Sequence, residues 1–210
     1  MVRRTKEDAV ATRSSLLDAA ERVFYEKGVS RASLGDIAQA AGATRGAIYW
    51  HFKDKLDLFN AMMDRVTLPL ENVAYGASEV SEGETPLSRL RGVVEEVLRM
   101  VASDERTRRV FEVALYRVEY VHELSAVRER RISVSGAFTR QLAVDLERSA
   151  QAQGLVLRMS PGAAAIGLHA LFDGLMQGWV LNHGDFDLVA VGREAVDAYL
   201  AGLGFDLGEL

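Results

Sequence analysis

The residues best suited to chemistry lie in the segment TRGAIYWHFKDK, at positions 44–55. Arg45 stands beside small residues, and a tyrosine, a histidine and lysines follow it. An arginine guanidinium offers two parallel donors that match O6 and N7 of guanine. Tyrosine, threonine, histidine and lysine side chains donate to phosphate oxygens, and small residues let the backbone approach base edges. The segment therefore predicts a surface that binds duplex DNA.

Two short helices must position this surface. The first is predicted to begin after Ser33, which can cap it, and to end before Gly42. The second is predicted over 45–51, with Thr44 as its N-cap. A helix, a glycine-containing turn and a second helix form the helix-turn-helix arrangement, whose second helix enters the major groove.

The second short helix has an inward and an outward face. Ile48 and Phe52 are four residues apart and are expected to pack onto the first helix, because residues four apart share one face. Arg45 and Tyr49, also four apart, then face outward. The alternative is an amphipathic helical pair that packs in this way without binding DNA.

The rest of the chain is also predicted to be helical. Apolar residues recur at helical spacing throughout, and no segment alternates like a strand, which favours an all-α fold of about nine helices. Pro69 lies inside one apolar stripe, and we expect its helix to kink or fray near Arg65, whose carbonyl the proline cannot use. Besides the two short helices, those expected span 7–27, a long helix from Asp54, 86–102, 104–120, 123–153, 160–182 and 187–203.

Composition separates a basic head from an acidic body. The 210 residues are 49% apolar, which excludes a disordered chain, and they include no cysteine, which excludes disulfides, thiolate metal sites and a cysteine nucleophile. Residues 1–60 hold ten Lys/Arg against eight Asp/Glu, giving +2, and the remainder holds fifteen against twenty-two, giving −7. This distribution favours a polyanion-binding end, to which Arg3, Arg4 and Lys6 could add a basic arm.

The longest apolar stretch does not predict a membrane span. Residues 161–181 include His169, Asp173 and Gln177, and polar groups at these positions are costly in a bilayer. The first residues are basic and polar and lack the apolar core of a signal peptide. We therefore expect a cytoplasmic protein without a membrane partner.

A family resemblance accompanies these patterns. The segment GVSRASLGDIAQAAGATRGAIYWHFKDKLDLF, residues 28–59, resembles the DNA-binding head of the TetR family of transcriptional repressors, and most of all the AcrR-type repressors of multidrug efflux pumps. A weaker likeness extends through VFEVALYRVEYVHEL, DGLMQGW and FDL. The resemblance implies a homodimer that binds a palindromic operator, needs no cofactor, and is released by a small-molecule inducer.

The resemblance also implies roles for individual residues. Arg45 would read bases, and Ser33 and Gly35 would touch the DNA backbone. The residues that would hold phosphates are Thr44, Tyr49, His51 and Lys55. Trp50 could instead serve packing, and His51 could instead cap its helix. The residues predicted to bind DNA are Ser33, Gly35, Thr44, Arg45, Gly46, Ala47, Tyr49, Trp50, His51 and Lys55.

The acidic body is expected to hold the partner chain and the inducer. Helix 160–182 is apolar almost all round, with glycines at 167, 174 and 178 that allow a close neighbour, and the family's four-helix dimer core would use it and helix 187–203. The polar side chains of this helix, His169, Asp173 and Gln177, could be anchors at a ligand cavity or at the dimer interface. Alternatively, they lie at a solvated edge or hydrogen-bond within the chain. An apolar cavity with acidic character suits an inducer that is apolar and could be cationic. The predicted ligand-binding residues are Phe111, Glu112, Leu115, Phe138, His169, Phe172, Asp173, Met176 and Gln177.

Other readings remain open at this point. The helix pattern and the family resemblance predict a head at 1–52 and a ligand-binding, dimerising body at 53–210. The protein is not expected to be an enzyme. A regulator of an unrelated metabolic operon, or an activator, fits the same sequence. An all-helical metal-carboxylate enzyme would use Glu119 and His122, the i, i+3 ligand pair of di-iron bundles, but no second such pair occurs. His183, Asp185 and Asp187 could hold a metal, although a turn is favoured there.

Overall fold

The computed structural model describes residues 6–76, 84–118 and 125–208, and these ranges contain nine α-helices and no β-strand. The all-α prediction is confirmed, and most predicted boundaries lie within two residues of the observed ones. The helices are α1 (Lys6–Lys27), α2 (Leu34–Ala40), α3 (Arg45–His51), α4 (Lys55–Gly76), α5 (Pro86–Ser103), α6 (Glu105–Tyr116), α7 (Ser125–Gln153), α8 (Pro161–Leu181) and α9 (Leu188–Leu203).

Side-chain caps begin the helices where the sequence predicts them. Ser33 Oγ accepts a hydrogen bond from Asp36 N at 3.1 Å, and Thr44 Oγ1 accepts one from Ala47 N at 3.2 Å. Asp54 Oδ1 accepts one from Asp57 N at 2.8 Å. Each bond satisfies a first-turn N–H that has no partner inside its own helix.

Two expectations about helix boundaries are corrected. The helix predicted over 104–120 ends at Tyr116, and the next residue, Arg117, gives its carbonyl to Val29 N at 3.0 Å, a contact 88 positions away that local periodicity cannot reveal. The helix expected to kink or fray near Arg65 does not fray there, since it continues as α4 through Pro69 to Gly76. The Arg65 side chain is held in place by α1, because Arg65 Nη1 donates to Asp18 Oδ1 at 2.7 Å.

The chain divides into two compact units, the first formed by Met1–Thr67 and Arg109–Arg130. Within the described part of this unit, α1, α2 and α3 pack against one another. Phe24, Ile37 and Ile48 are fully buried, and the Phe24 ring lies 5.9 Å from that of Phe59 on α4. Burial of these side chains supplies the apolar contacts that hold the two short helices in place.

The second unit comprises Leu68–Arg108 and Arg131–Leu210, and α5, α8 and α9 pack against one another within it. Arg91 on α5 makes a bidentate ion pair with Asp197 on α9, at 2.7 and 2.6 Å. A Cβ at Gly167 would lie 2.2 Å from Tyr199 Oη, so the close approach predicted there is confirmed. A Cβ at Gly174 or Gly178 would meet no described atom of another element within 4 Å. The close approach predicted at these two glycines is therefore not made within the described chain, and it stays a prediction for a partner chain.

α8 is a core helix of this unit. Among the described residues it is the one helix long and apolar enough to cross a membrane, with a mean hydropathy of 1.2. Buried helices of globular proteins meet the same criterion, and α8 packs against α5 and α9. Leu168, Phe172 and Met176 are buried along its length, while Asp173 lies between them in sequence. Burial inside the unit accounts for part of its apolar composition, since 39% of the apolar stretch is buried there.

Candidate nucleic-acid interface

α3 presents the two faces that its sequence predicts. Ile48 is fully buried, whereas Tyr49 is 53% exposed and Trp50 is 73% exposed. Arg45 is also exposed at the first position of the helix. The Ala47 side chain is buried, so its contribution at the surface is limited to its small size and its backbone. The exposed face of α3 thus carries a guanidinium, a phenol and an indole on a helix whose other face is anchored.

A network of caps fixes the start of α2. Asp36 Oδ2 accepts hydrogen bonds from Ser33 N at 2.9 Å and from Ser33 Oγ at 2.6 Å, and Lys27 Nζ lies 2.9 Å from Asp36 Oδ1. The hydrogen bonds from Ser33 and Lys27 hold the pKa of Asp36 well below its usual range. Asp36 therefore stays ionised at all moderate pH values, and Gly35, in the first turn of α2, is held with it.

Three predicted DNA contacts also have structural partners within the head. Ser33 and Thr44 cap α2 and α3, as described above. Lys55 Nζ donates to Ser30 O at 2.9 Å and to Ala32 O at 3.1 Å, which closes the loop between α1 and α2. Because an ammonium has three N–H donors, these two bonds leave one N–H of Lys55 for a further acceptor. These residues hold the frame of the surface in addition to any contact with DNA.

Aromatic rings contact one another at the end of α3. The His51 ring meets that of Trp50 edge-to-face at a centroid distance of 4.6 Å. Trp50 is 73% exposed and is therefore not a core residue, so packing inside this chain does not explain its presence. Arg13 of α1 lies 5.2 Å from the centroid of Phe52, which follows α3. Sequence reasoning missed Arg13, because a contact across 39 positions leaves no local pattern.

The predicted ligand residues are distributed over both units. Phe111, Glu112 and Leu115 lie on α6 in the first unit and are half-buried, and Glu112 lies 3.9 Å from Arg117. The other six belong to the second unit.

Three of the six form an aromatic cluster. The Phe138 ring of α7 lies 5.3 Å from that of His169 and 5.8 Å from that of Phe172, both on α8. His169 Nδ1 lies 2.7 Å from Thr139 Oγ1, a partner that the sequence did not reveal. Burial lowers the pKa of His169, and the nearby Asp173 carboxylate opposes that shift. The imidazole is therefore held neutral near pH 7.

The polar residues of α8 bond to partners within their own unit. Gln177 Nε2 donates to Asp173 Oδ2, four residues earlier on the same face. Met176 is buried between them in sequence. Together with the His169–Thr139 bond, this is the internally satisfied arrangement that the sequence left as one alternative.

Within the described ranges, no three His, Asp or Glu residues are grouped closely enough to hold a metal ion. Glu119 and His122, the pair on which a metal enzyme would depend, lie outside the described residues. Of the other candidates, Asp187 caps α9 by accepting bonds from Val189 N at 3.1 Å and Ala190 N at 3.0 Å. His183 has a positive φ of 55°, typical of the turn expected there.

Two family models together match most of the chain. Residues 16–62 match the model described as bacterial regulatory proteins, tetR family. Residues 85–205 match the C-terminal region of the MAATS-type transcriptional repressors. The first match spans α2 and α3, and the second includes all of α8.

Full-length relatives agree with these matches. The chain is 35% identical over 196 residues to the transcriptional regulator AcrR of Shigella flexneri, covering 93% of this chain and 91% of that protein. NalD, the secondary repressor of the MexAB-OprM multidrug efflux pump in Pseudomonas aeruginosa, superposes with a TM-score of 0.83 at 35% identity, covering 93% of this chain and 98% of that one. A complex of triclosan with SmeT, the repressor of the Stenotrophomonas maltophilia pump SmeDEF, superposes with a TM-score of 0.74 at 35% identity and 91% coverage of both chains.

Proposed function

We propose that this chain, which belongs to the TetR family of bacterial transcriptional regulators, represses a multidrug efflux operon. It binds a palindromic operator as a homodimer and is released by a small apolar compound. The observation that carries the DNA-binding part is the exposed face of α3, where Arg45, Tyr49 and Trp50 project from a helix anchored by Ile48. The efflux assignment is supported by the similarity to NalD and SmeT, which repress such pumps.

DNA recognition is assigned to residues 1–52, together with Lys55 at the start of α4. Arg45 pairs with O6 and N7 of a guanine, because the guanidinium fork matches that edge in the major groove. Tyr49 and His51 donate to phosphates, as does the remaining N–H of Lys55. The backbone at Gly46 and Ala47 comes close to the base edges, since neither side chain is large.

Dimerisation and inducer binding are assigned to residues 53–210. Ile166 and Leu181 on α8 and Val191 on α9 are exposed apolar side chains, and a second copy of the chain would cover them. Two heads related by a twofold axis can then read half-sites about 34 Å apart, one turn of B-DNA. The aromatic cluster of Phe138, His169 and Phe172 suits an apolar inducer with aromatic rings, and triclosan, which is bound in the SmeT complex, is such a compound.

Induction is a difference in inducer affinity between two arrangements of the dimer. The inducer weakens operator binding only to the extent that it binds the non-operator arrangement more tightly. We place the point of bending at Pro69, because a proline removes one backbone hydrogen bond from α4. Pro69→Ala restores that bond and should reduce the loss of operator affinity caused by a saturating inducer; unchanged induction would remove Pro69 from the mechanism.

The proposal is tested by footprinting purified full-length protein on the DNA beside its own gene, a cytoplasmic interaction that requires no membrane. We expect a protected palindrome, a dimer by sedimentation, and loss of protection on adding an apolar compound such as triclosan. A monomer that protects no DNA at low ionic strength would overturn the proposal. Protection that responds to no apolar compound but to a metabolite would retain the DNA-binding part and contradict the efflux assignment.

A further inference from the structure

A small cavity lies within the second unit, and none of its lining residues is predicted to bind the inducer. Its volume is about 30 Å³, and residues of α5 and α7 line it. The lining residues are Pro86, Arg89, Leu90, Val93, Asp145 and Arg148. Such a volume accommodates roughly two or three water molecules, whereas a multi-ring compound needs a pocket of several hundred Å³. The cavity therefore fits one small polar group and not a drug-sized inducer.

Arg89 is the unusual feature of this cavity. Only 8% of its surface is exposed, and its Nε is buried without a hydrogen-bond partner among the described residues. Buried polar groups nearly always have partners, and a guanidinium keeps its charge at any accessible pH. Arg89 therefore brings a positive charge and an N–H group without a described partner to the lining of the cavity.

The neighbouring groups show what kind of acceptor fits. Arg148 is exposed on α7 and forms no ion pair with a described carboxylate, so it adds a second available guanidinium. Asp145 contributes one negative charge and already accepts a bond from Gln141 Nε2 at 3.1 Å. Two positive charges and one negative leave a net charge of +1, which one monoanion neutralises.

The start of α5 does not itself supply the site. Thr85 caps that helix by accepting a bond from Ser88 N at 3.1 Å, and Arg89 N donates to Thr85 O at 3.0 Å. The first-turn amides that could hold an anion are therefore partly engaged. The side chains of Arg89 and Arg148 remain as the donors.

We propose that this cavity binds a small carboxylate monoanion, whose oxygens accept hydrogen bonds from the Arg89 guanidinium and from the Arg148 guanidinium at the surface. Planar guanidinium groups match the two oxygens of a carboxylate. Asp145 disfavours a second negative charge, so a phosphate dianion should bind less tightly than acetate. The site is independent of operator binding and can be measured on the protein without DNA.

The test follows the arginine Nε–Hε resonances of the ¹⁵N-labelled full-length protein by NMR, during exchange of chloride for acetate at constant ionic strength and pH 7.5. The Arg89 resonance is identified by its absence from the Arg89→Lys spectrum. We expect it to shift and saturate with acetate, and to respond to phosphate only at higher concentration. No saturable shift with acetate would overturn the proposal, and phosphate binding equal to that of acetate would overturn the monoanion assignment.

Variants connect the binding to the named donors. Arg89→Met should weaken acetate binding about tenfold or more in calorimetry, because it removes a charge-assisted hydrogen bond. Arg148→Gln should weaken it by a smaller factor of about three, and this exposed position keeps the test available if Arg89→Met fails to fold. Arg158→Gln, at an exposed arginine outside the cavity, removes the same charge and should leave acetate affinity unchanged. Equal loss of affinity in all three variants would indicate general charge attraction and contradict a built site.

Discussion

α3 and α8 use their polar residues in opposite ways. α3 has seven residues, and its guanidinium and phenol face outward while Ile48 is buried. α8 has 21 residues, and its polar side chains bond to partners within their own unit, as His169 does to Thr139. Exposed donors on an anchored frame indicate an external partner, whereas buried polar groups first satisfy one another. For this reason the sequence points to DNA more clearly than to an inducer.

The largest expected effect separates the two faces of α3. Ile48→Ala should lower the free energy of unfolding by about 2–5 kcal/mol, because it leaves a cavity under the helix. Tyr49→Ala, one position further on, should change it by no more than about 0.5 kcal/mol and should instead weaken operator binding. Urea denaturation and operator titration measure the two effects. Equal loss of stability in both variants would contradict the division between the faces.

The next effect tests close packing in the second unit. Gly167→Ala places a methyl group 2.2 Å from Tyr199 Oη and should cost about 1–3 kcal/mol of unfolding free energy, since either Tyr199 or α9 must shift. Gly174→Ala is the matched control on the same helix, because a Cβ there meets no described atom within 4 Å. Thermal or urea unfolding should therefore show a lower free energy of unfolding for Gly167→Ala and not for Gly174→Ala. Equal unfolding free energies for the two variants would contradict the observed packing of α8 on α9.

A smaller effect concerns the dual use of Lys55. Lys55→Ala removes two hydrogen bonds to the backbone of the α1–α2 loop and should cost about 1–2 kcal/mol of stability. If its third donor also contacts a phosphate, the salt dependence of operator binding should become shallower by about one counterion. Lys53→Ala, at an exposed lysine two positions earlier, should leave stability unchanged. Unaltered stability in Lys55→Ala would show that the loop does not depend on this ammonium.

The smallest effect is a dependence of stability on pH in the second unit. Burial lowers the pKa of His169 in the folded protein below its ordinary value of 6.5. Well above pH 6.5 the imidazole is neutral in both states and contributes nothing to the free energy of unfolding. As the pH falls through 6.5 the unfolded chain takes up the proton first, so the free energy of unfolding decreases as the pH decreases. Between pH 7.5 and 5 the loss due to this group should be under about 1 kcal/mol. His169→Gln should show a smaller loss over that range, and an identical pH profile would contradict the assignment.

The sequence predicted local structure well and distant contacts poorly. Ser33 and Thr44 cap their helices as expected, because capping depends on residue types three positions apart. The end of α6 was missed, because the Arg117 carbonyl meets Val29 from a remote part of the chain. The role of Gly192 was missed for the same reason, since a Cβ there would lie 2.2 Å from Leu98 on α5.

The candidate sites follow the same rule. The outward position of Tyr49 follows from helical periodicity within a single segment, and the structure agrees with it. The partner of His169 is Thr139, thirty residues away on another helix, and no local pattern identifies it. The roles of the DNA- and inducer-binding residues remain predictions, and periodicity cannot decide them because they depend on a second molecule.

The measurement that tests the central claim most directly is the affinity of wild-type protein and Arg45→Ala for the operator and for unrelated duplex DNA, at one fixed salt concentration. We predict that Arg45→Ala loses about 1–3 kcal/mol on the operator and discriminates less between base sequences, while binding to unrelated DNA changes little. Equal operator affinity for the two proteins would contradict the assignment of base recognition to the exposed face of α3.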